Sequence, residues 1–172
     1  MFFNIILLIV LIICIITDVK ERKIYNAVIF PSLLLALIAQ VLINGLDGLL
    51  FGALGFLVGL FLLLIPYLMG GMGAGDVKLL ALIGALKGTA FVLTTAVYMA
   101  VIGGIIALGI LFFRKGVWSR LKSIVFTLSG FKSGVKIPLS FSKESMQTTY
   151  PYGLAIAGGA FISLFVKNGV FL

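Results

Sequence analysis

Apolar positions in this chain come in long unbroken blocks rather than in alternation, and the polar residues crowd into the gaps between them. The blocks are Met1 to Thr17, Ala27 to Ile43, Leu49 to Met69, Val77 to Leu86, Thr89 to Phe113 and Tyr150 to Val166. At roughly 1.5 Å per helical residue, a block of about 20 residues crosses the hydrocarbon core of a bilayer. Val77 to Leu86 is the exception: alone it covers about half of a bilayer, as a re-entrant piece would. The gaps hold the charge cluster Asp18-Val19-Lys20-Glu21-Arg22-Lys23, the turn Asn44-Gly45-Leu46-Asp47-Gly48 and a glycine run from Gly70 to Gly75. A basic, mostly polar connection from Arg114 to Thr149 precedes the last block.

Charge decides whether the short block crosses. If it does, every Lys and Arg except Lys87 and Lys167 falls on one side of the membrane. If it does not, the Arg114–Lys143 cluster lands opposite Lys20–Lys23, against the tendency of basic residues to stay cytoplasmic. Six spans satisfy that tendency, with both termini outside the cytoplasm. Asp18 then closes a helix running inward and Asp76 opens one running outward, so both acids lie at the cytoplasmic face.

Two finer patterns shape the expected fold. Gly48, Gly52, Gly55 and Gly59 recur on one face of the third block, the spacing by which membrane helices approach closely. In the long connection Val117, Trp118, Leu121, Ile124, Val125 and Leu128 share a helical face flanked by Arg114, Lys115, Arg120 and Lys122. That is an amphipathic helix lying on the inner leaflet. Gly134 to Phe141 has a strand-like composition and a proline, which predicts extended structure. The expected architecture is an all-α integral membrane protein with six transmembrane helices and a cytoplasmic amphipathic helix before the last span. Residues 1–172 form a single membrane-embedded domain in this reading.

Composition agrees. The chain is 62% hydrophobic and 10% charged, with mean hydropathy +1.31, more apolar surface than a soluble chain of this length can hide. The formal charge of +8 follows from topology, so no nucleic-acid partner is expected. Histidine is absent and cysteine occurs once, as Cys14. That removes disulfides, zinc sites built on His or Cys, and Ser-His or Cys-His nucleophiles. Cys14 reads as a packing residue. Met1-Phe2-Phe3-Asn4 carries no basic residue and no cleavage site follows, so the first block reads as a span, not a cleaved signal peptide.

Five acidic residues remain to carry chemistry. Asp47 suits a turn, Glu144 a polar loop, and Glu21 a solvated position among Lys and Arg. Asp18 could simply mark a membrane border, and Asp76 could cap the helix that begins at Val77. A cap alone does not call for Gly70, Gly71, Gly73 and Gly75 before it; glycines there permit unusual dihedrals and close backbone approach. Two carboxyl groups facing one another suit general acid–base hydrolysis, because neighbouring acids share a proton near neutral pH and titrate as a pair.

The motifs resemble those of the type IV prepilin peptidases, intramembrane aspartic proteases with a Gly-x-Gly-Asp motif. Gly73-Ala74-Gly75-Asp76 matches that motif and continues Val77-Lys78-Leu79-Leu80 as those enzymes commonly do. Asp18 to Asn26 is similar to the segment around their first aspartate, which usually ends Ile-Pro-Asn; here it ends Ile24-Tyr25-Asn26. Pro151-Tyr152-Gly153 resembles their entry to the last helix. The resemblance implies a single aspartic peptidase domain in a prokaryotic cytoplasmic membrane, with Asp18 and Asp76 as the catalytic pair. It implies that Gly73 and Gly75 shape the loop, with Lys78, Asn26 and Pro151 as lesser candidates for substrate binding or loop shaping. The implied substrates are prepilin or pseudopilin proteins, which carry a short basic leader before an apolar helix.

Longer family members carry a cysteine-bearing cytoplasmic region associated with methylating the new N-terminus. Here the first loop spans only Asp18–Asn26, so the short form serving tight-adherence pili is expected, without methyltransferase activity, S-adenosylmethionine or any metal. Strand pairing of residues 135–141 with the extended leader is a further expectation. Two other readings compete. A small ion- or proton-coupled transporter would use the same acids, but its site would lie near the membrane midplane, and the halves show no inverted repeat. A non-enzymatic assembly subunit of a secretion machine would leave both acids silent.

Overall fold

The computed structural model describes residues 2–113 and 152–167. Every element among them is helical: α1 (Phe2–Glu21), α2 (Asn26–Leu68), α3 (Ala74–Lys87), α4 (Thr89–Phe113) and α5 (Tyr152–Lys167). The expected amphipathic helix, the strand-like segment near residues 134–141 and Pro151 lie outside the described residues. By length and composition α1, α2 and Thr89–Gly109 of α4 can each cross a membrane, and α5 is a shorter apolar helix. The chain divides into two compact units, Met1–Gly103 with Pro151–Leu172, and Gly104–Tyr150. Everything below concerns the first unit.

Several boundaries differ from the sequence reading. The first helix does not stop at Thr17: it runs through the charge cluster to Glu21, so Asp18 sits inside its last turn. The Arg22 N–H still donates to the Asp18 carbonyl, and the helix ends where Arg22 takes a positive φ of 52°. The turn expected over Asn44–Gly48 is narrower, a single break at Gly45 within α2, with φ 62° and ψ −144°. That conformation is open to glycine and strained for other residues. A Cβ at Gly52 would lie 3.3 Å from Leu37 Cδ2 and 3.5 Å from Gln40 Cγ. A straight helix would hold residues 37 and 52 about 22 Å apart, so α2 folds back on itself at Gly45 into two antiparallel arms.

The second arm of α2 packs on α3 through the predicted glycine face. Gly48, Gly52, Gly55 and Gly59 are all buried. A Cβ at Gly59 would stand 2.6 Å from the Leu80 carbonyl oxygen, and Gly55 and Gly84 press backbone to backbone. Removing Cβ atoms lets the two backbones approach closely, and dispersion across that contact substitutes for the hydrophobic driving force that lipid cannot supply.

The short helix α3 is the innermost element. Leu79, Leu80, Ala81, Leu82, Ile83 and Ala85 are fully buried. Its apolar residues form no stripe because it is enclosed on every side, as expected for a helix hydrophobic all round. It spans about 21 Å by rise per residue and stops at Gly88, whose φ of 81° turns the chain directly into α4.

Candidate active site

Asp18 lies in the last turn of α1 and Asp76 in the first turn of α3. The two helices touch and run antiparallel: at the opposite end, Lys87, the last residue of α3, donates a hydrogen bond to Asn4 near the start of α1. Both acids therefore stand at one end of the unit. They are 6% and 8% exposed, and the charge of Asp18 is felt at Asp76. A buried carboxyl group is costly unless hydrogen-bonded or paired, so their partners define what each can do.

Asp76 is held by its own motif. Gly73 is the N-cap of α3, and its N–H donates to Asp76 Oδ2 (3.2 Å) while the Asp76 N–H donates to the Gly73 carbonyl (3.1 Å). This is the side-chain half of a capping box, with Asp at the third helical position reaching back to the cap. The sequence reading put Asp76 as the cap of a helix beginning at Val77. The helix instead begins at Ala74 with Gly73 as its N-cap, and Asp76 accepts the Gly73 N–H from inside the first turn. Gly75 serves a different purpose: a Cβ there would lie 2.8 Å from Ile24 Cβ. The glycine lets the connection between α1 and α2 lie directly against the start of α3.

Asp18 is held from another direction. The backbone N–H groups of Gly153 and Leu154, at the start of α5, face its carboxyl group, and the Arg22 guanidinium is within electrostatic reach. Even so, Asp18 Oδ2 is a buried atom without a hydrogen-bond partner among the described residues. It faces the position where a side chain at 153 would be: a Cβ on Gly153 would come within 2.6 Å of it.

The connection carrying Tyr25 is well defined. Tyr25 is the N-cap of α2 with φ −80° and ψ 130°, a φ within the range that proline fixes. Proline would fit the same φ at this position, and the tyrosine hydroxyl donates to Glu21 four residues earlier. Asn26 accepts a hydrogen bond from Lys78 Nζ (2.9 Å), and the same ammonium lies 5.4 Å from the centroid of the Phe30 ring. Lys78 and Asn26 are thus joined to each other beside the acids, while Pro151 is outside the described residues. The sequence reading assigned no role to Gly153 or Ile24. The first stood in plain view beside Pro151 at the head of an apolar block.

At the far end, a cavity of about 610 Å³ is lined in part by Asn4, Gln40, Asn44, Asp47 and Lys87. Gln40, Asn44, Asn4 and Lys87 are tied into the packing. Gln40 donates to the Leu86 carbonyl (3.3 Å) and accepts from Asn44 (3.1 Å). These bonds satisfy the last turn of α3, where backbone carbonyls lack helical partners.

The comparisons with known proteins follow from this geometry. A family model, the type IV leader peptidase family, matches residues 5–108. The chain belongs to that family. The match takes in both acids, the Gly73–Asp76 motif, Lys78 and Asn26, and ends before α5. Family membership supports a leader peptidase function in general and an integral membrane protein. No curated protein and no solved structure matches the chain.

Proposed function

We propose that this protein is an intramembrane aspartic endopeptidase, with Asp18 and Asp76 as its catalytic pair, that removes the short basic leader of prepilin or pseudopilin proteins. The observation that carries the reading is the convergence of two buried acids, distant in sequence, at one end of a pair of antiparallel helices. In hydrolysis the ionised carboxylate takes a proton from water while the water oxygen attacks the scissile carbonyl carbon. The protonated partner gives its proton to the carbonyl oxygen. Collapse of the tetrahedral intermediate breaks the C–N bond as the second acid takes back a proton from the diol, and the departing amine is protonated by the first acid.

The same proposal covers topology. Six spans, with the two arms of α2 crossing separately and α3 crossing inside them, put the acids at the cytoplasmic face of a prokaryotic membrane. A substrate helix can then stay in the bilayer while its leader is cut at the border. The connection from α1 to α2 occupies only residues 22–25, leaving no room for a methylating region between them; the tight-adherence form without S-adenosylmethionine or metal fits that length.

The test is processing of a co-expressed prepilin by the wild type and by Asp18→Asn and Asp76→Asn. Both variants are expected to accumulate at normal levels and leave the precursor uncut. Mature product from either one removes the two-acid mechanism.

A further inference from the structure

We infer that the start of α5 is a positioning element for Asp18, with Gly153 required there because a side chain would displace the carboxyl group. The inference rests on the reading of Asp18 as one of the two working acids. It arises from two independent features of the structure. Asp18 Oδ2 is buried and has no hydrogen-bond partner among the described residues, in a residue only 6% exposed. Position 153, against which it lies, has no room for a methyl group: an added Cβ would stand 2.6 Å from Oδ2, 2.9 Å from Cγ and 3.1 Å from the Asp18 Cβ.

The character of that contact matters. At Gly55, Gly59 and Gly159 the close approaches are to backbone; at Gly159 a Cβ would meet the Thr95 carbonyl oxygen at 2.6 Å and the Met99 nitrogen at 2.7 Å. Backbone cannot yield, so such a change strains the helix pair. At Gly153 the atoms in the way belong to a single side chain with rotatable bonds. The least costly response to a methyl group is for the Asp18 carboxyl to swing away, leaving the helices in place. The N–H groups of Gly153 and Leu154 that face Asp18 are among the first of α5, which have no partner within their own helix. A helix N-terminus also favours a negative charge nearby. Asp18 is thereby aimed by a helix that follows it by more than 130 residues and lies beyond the family match.

The positioning role predicts a split between turnover and binding. Purified full-length protein is assayed on a prepilin-class substrate with a basic leader and an apolar helix. Gly153→Ala is expected to keep its thermal midpoint and KM while kcat falls by about 100-fold, the scale of loss for a reacting group misplaced by about 1 Å. Gly159→Ala, on the same helix, is expected to lose stability while keeping the kcat of the molecules that remain folded. Leu154→Pro replaces one facing N–H with the ring Cδ, which removes a donor and crowds the Asp18 carboxyl at once, and proline is tolerated in a first helical turn; kcat should fall at least about 10-fold. If Gly153→Ala fails to fold, Leu154→Pro decides the matter.

Wild-type kcat in folded Gly153→Ala, or in Leu154→Pro where Gly153→Ala does not fold, would overturn the inference, and so would an equal loss of kcat in folded Gly159→Ala. Failure of the underlying reading looks different, because it appears as cleavage by Asp18→Asn. An inactive Asp18→Asn beside a fully active Gly153→Ala would sink the positioning role alone.

Discussion

Lys78 on α3 reaches Asn26 at the head of α2, Nζ to Oδ1 at 2.9 Å, and so joins the two motif segments that carry the acids. Each partner stands close to one acid in sequence, Lys78 two residues after Asp76 and Asn26 eight after Asp18. The bond is exposed, so its strength is modest, about 0.5–1.5 kcal/mol. Its effect lies in holding the α1–α2 connection against α3.

That tie predicts coupling. Lys78→Ala and Asn26→Ala should each lower the cleavage rate by about 3- to 10-fold, the equivalent of roughly 1 kcal/mol. The double variant should lose little more than either single one, since both changes remove the same bond. Initial rates on one substrate measure the cycle, and full additivity would show that the two act separately.

The contact between Gly75 and Ile24 makes a second pair. Gly75→Ala brings a Cβ within 2.8 Å of Ile24 Cβ and should push the connection off the start of α3, with a rate loss of about 10- to 100-fold. Ile24→Gly removes the obstructing atom. Placed together with Gly75→Ala it should recover part of the lost rate, a non-additive result that a general destabilisation would not give.

The backbone contact between α2 and α3 should appear in stability. Gly55→Ala places a methyl group on the Gly84 backbone and is expected to cost about 1–3 kcal/mol, seen as a lower thermal midpoint in detergent. Gly103→Ala is the comparison. Its added Cβ would meet Ala155 Cβ at an ordinary 3.8 Å, and the midpoint should stay close to that of the wild type.

Gln40→Leu tests the far end of α3. Gln40 is 2% exposed, and the substitution leaves the Leu86 carbonyl without its side-chain donor, at a cost of about 1–3 kcal/mol. The cleavage rate of the folded fraction should not change, because the site lies at the other end of the same helix. A rate loss without a stability loss would contradict this assignment.

Much of the fold was legible because lipid imposes a simple rule: apolar runs must be helical so that every backbone group is satisfied within the segment. The runs, the glycine face and the break near Gly45 all follow from local composition, whereas the choice of α3 as the partner of that face does not. The end of α1 was misplaced because charged residues mark where a helix leaves lipid, whereas the helix itself ends where backbone dihedrals change, at Arg22. The tyrosine in place of proline looked like a departure. Its φ of −80° is one that proline would also fit.

Asp76 was legible as an acid behind a glycine run and Asp18 as an acid opening a charge cluster, and charge bias alone put both at one face of the expected topology. The partners of each acid were not. Asp76 is capped by a neighbour three residues away, so its environment was written locally. Asp18 is aimed by α5, whose place beside α1 depends on how helices pack, and a contact made through one glycine and one carboxyl group leaves no periodic trace in either segment. By itself, then, the sequence determined a bundle of membrane-compatible helices with an acid near the ends of two of them. Tertiary structure alone decided which backbone amides face Asp18, and why position 153 has no room for a side chain: that fit depends on atoms brought within 3 Å by the whole fold.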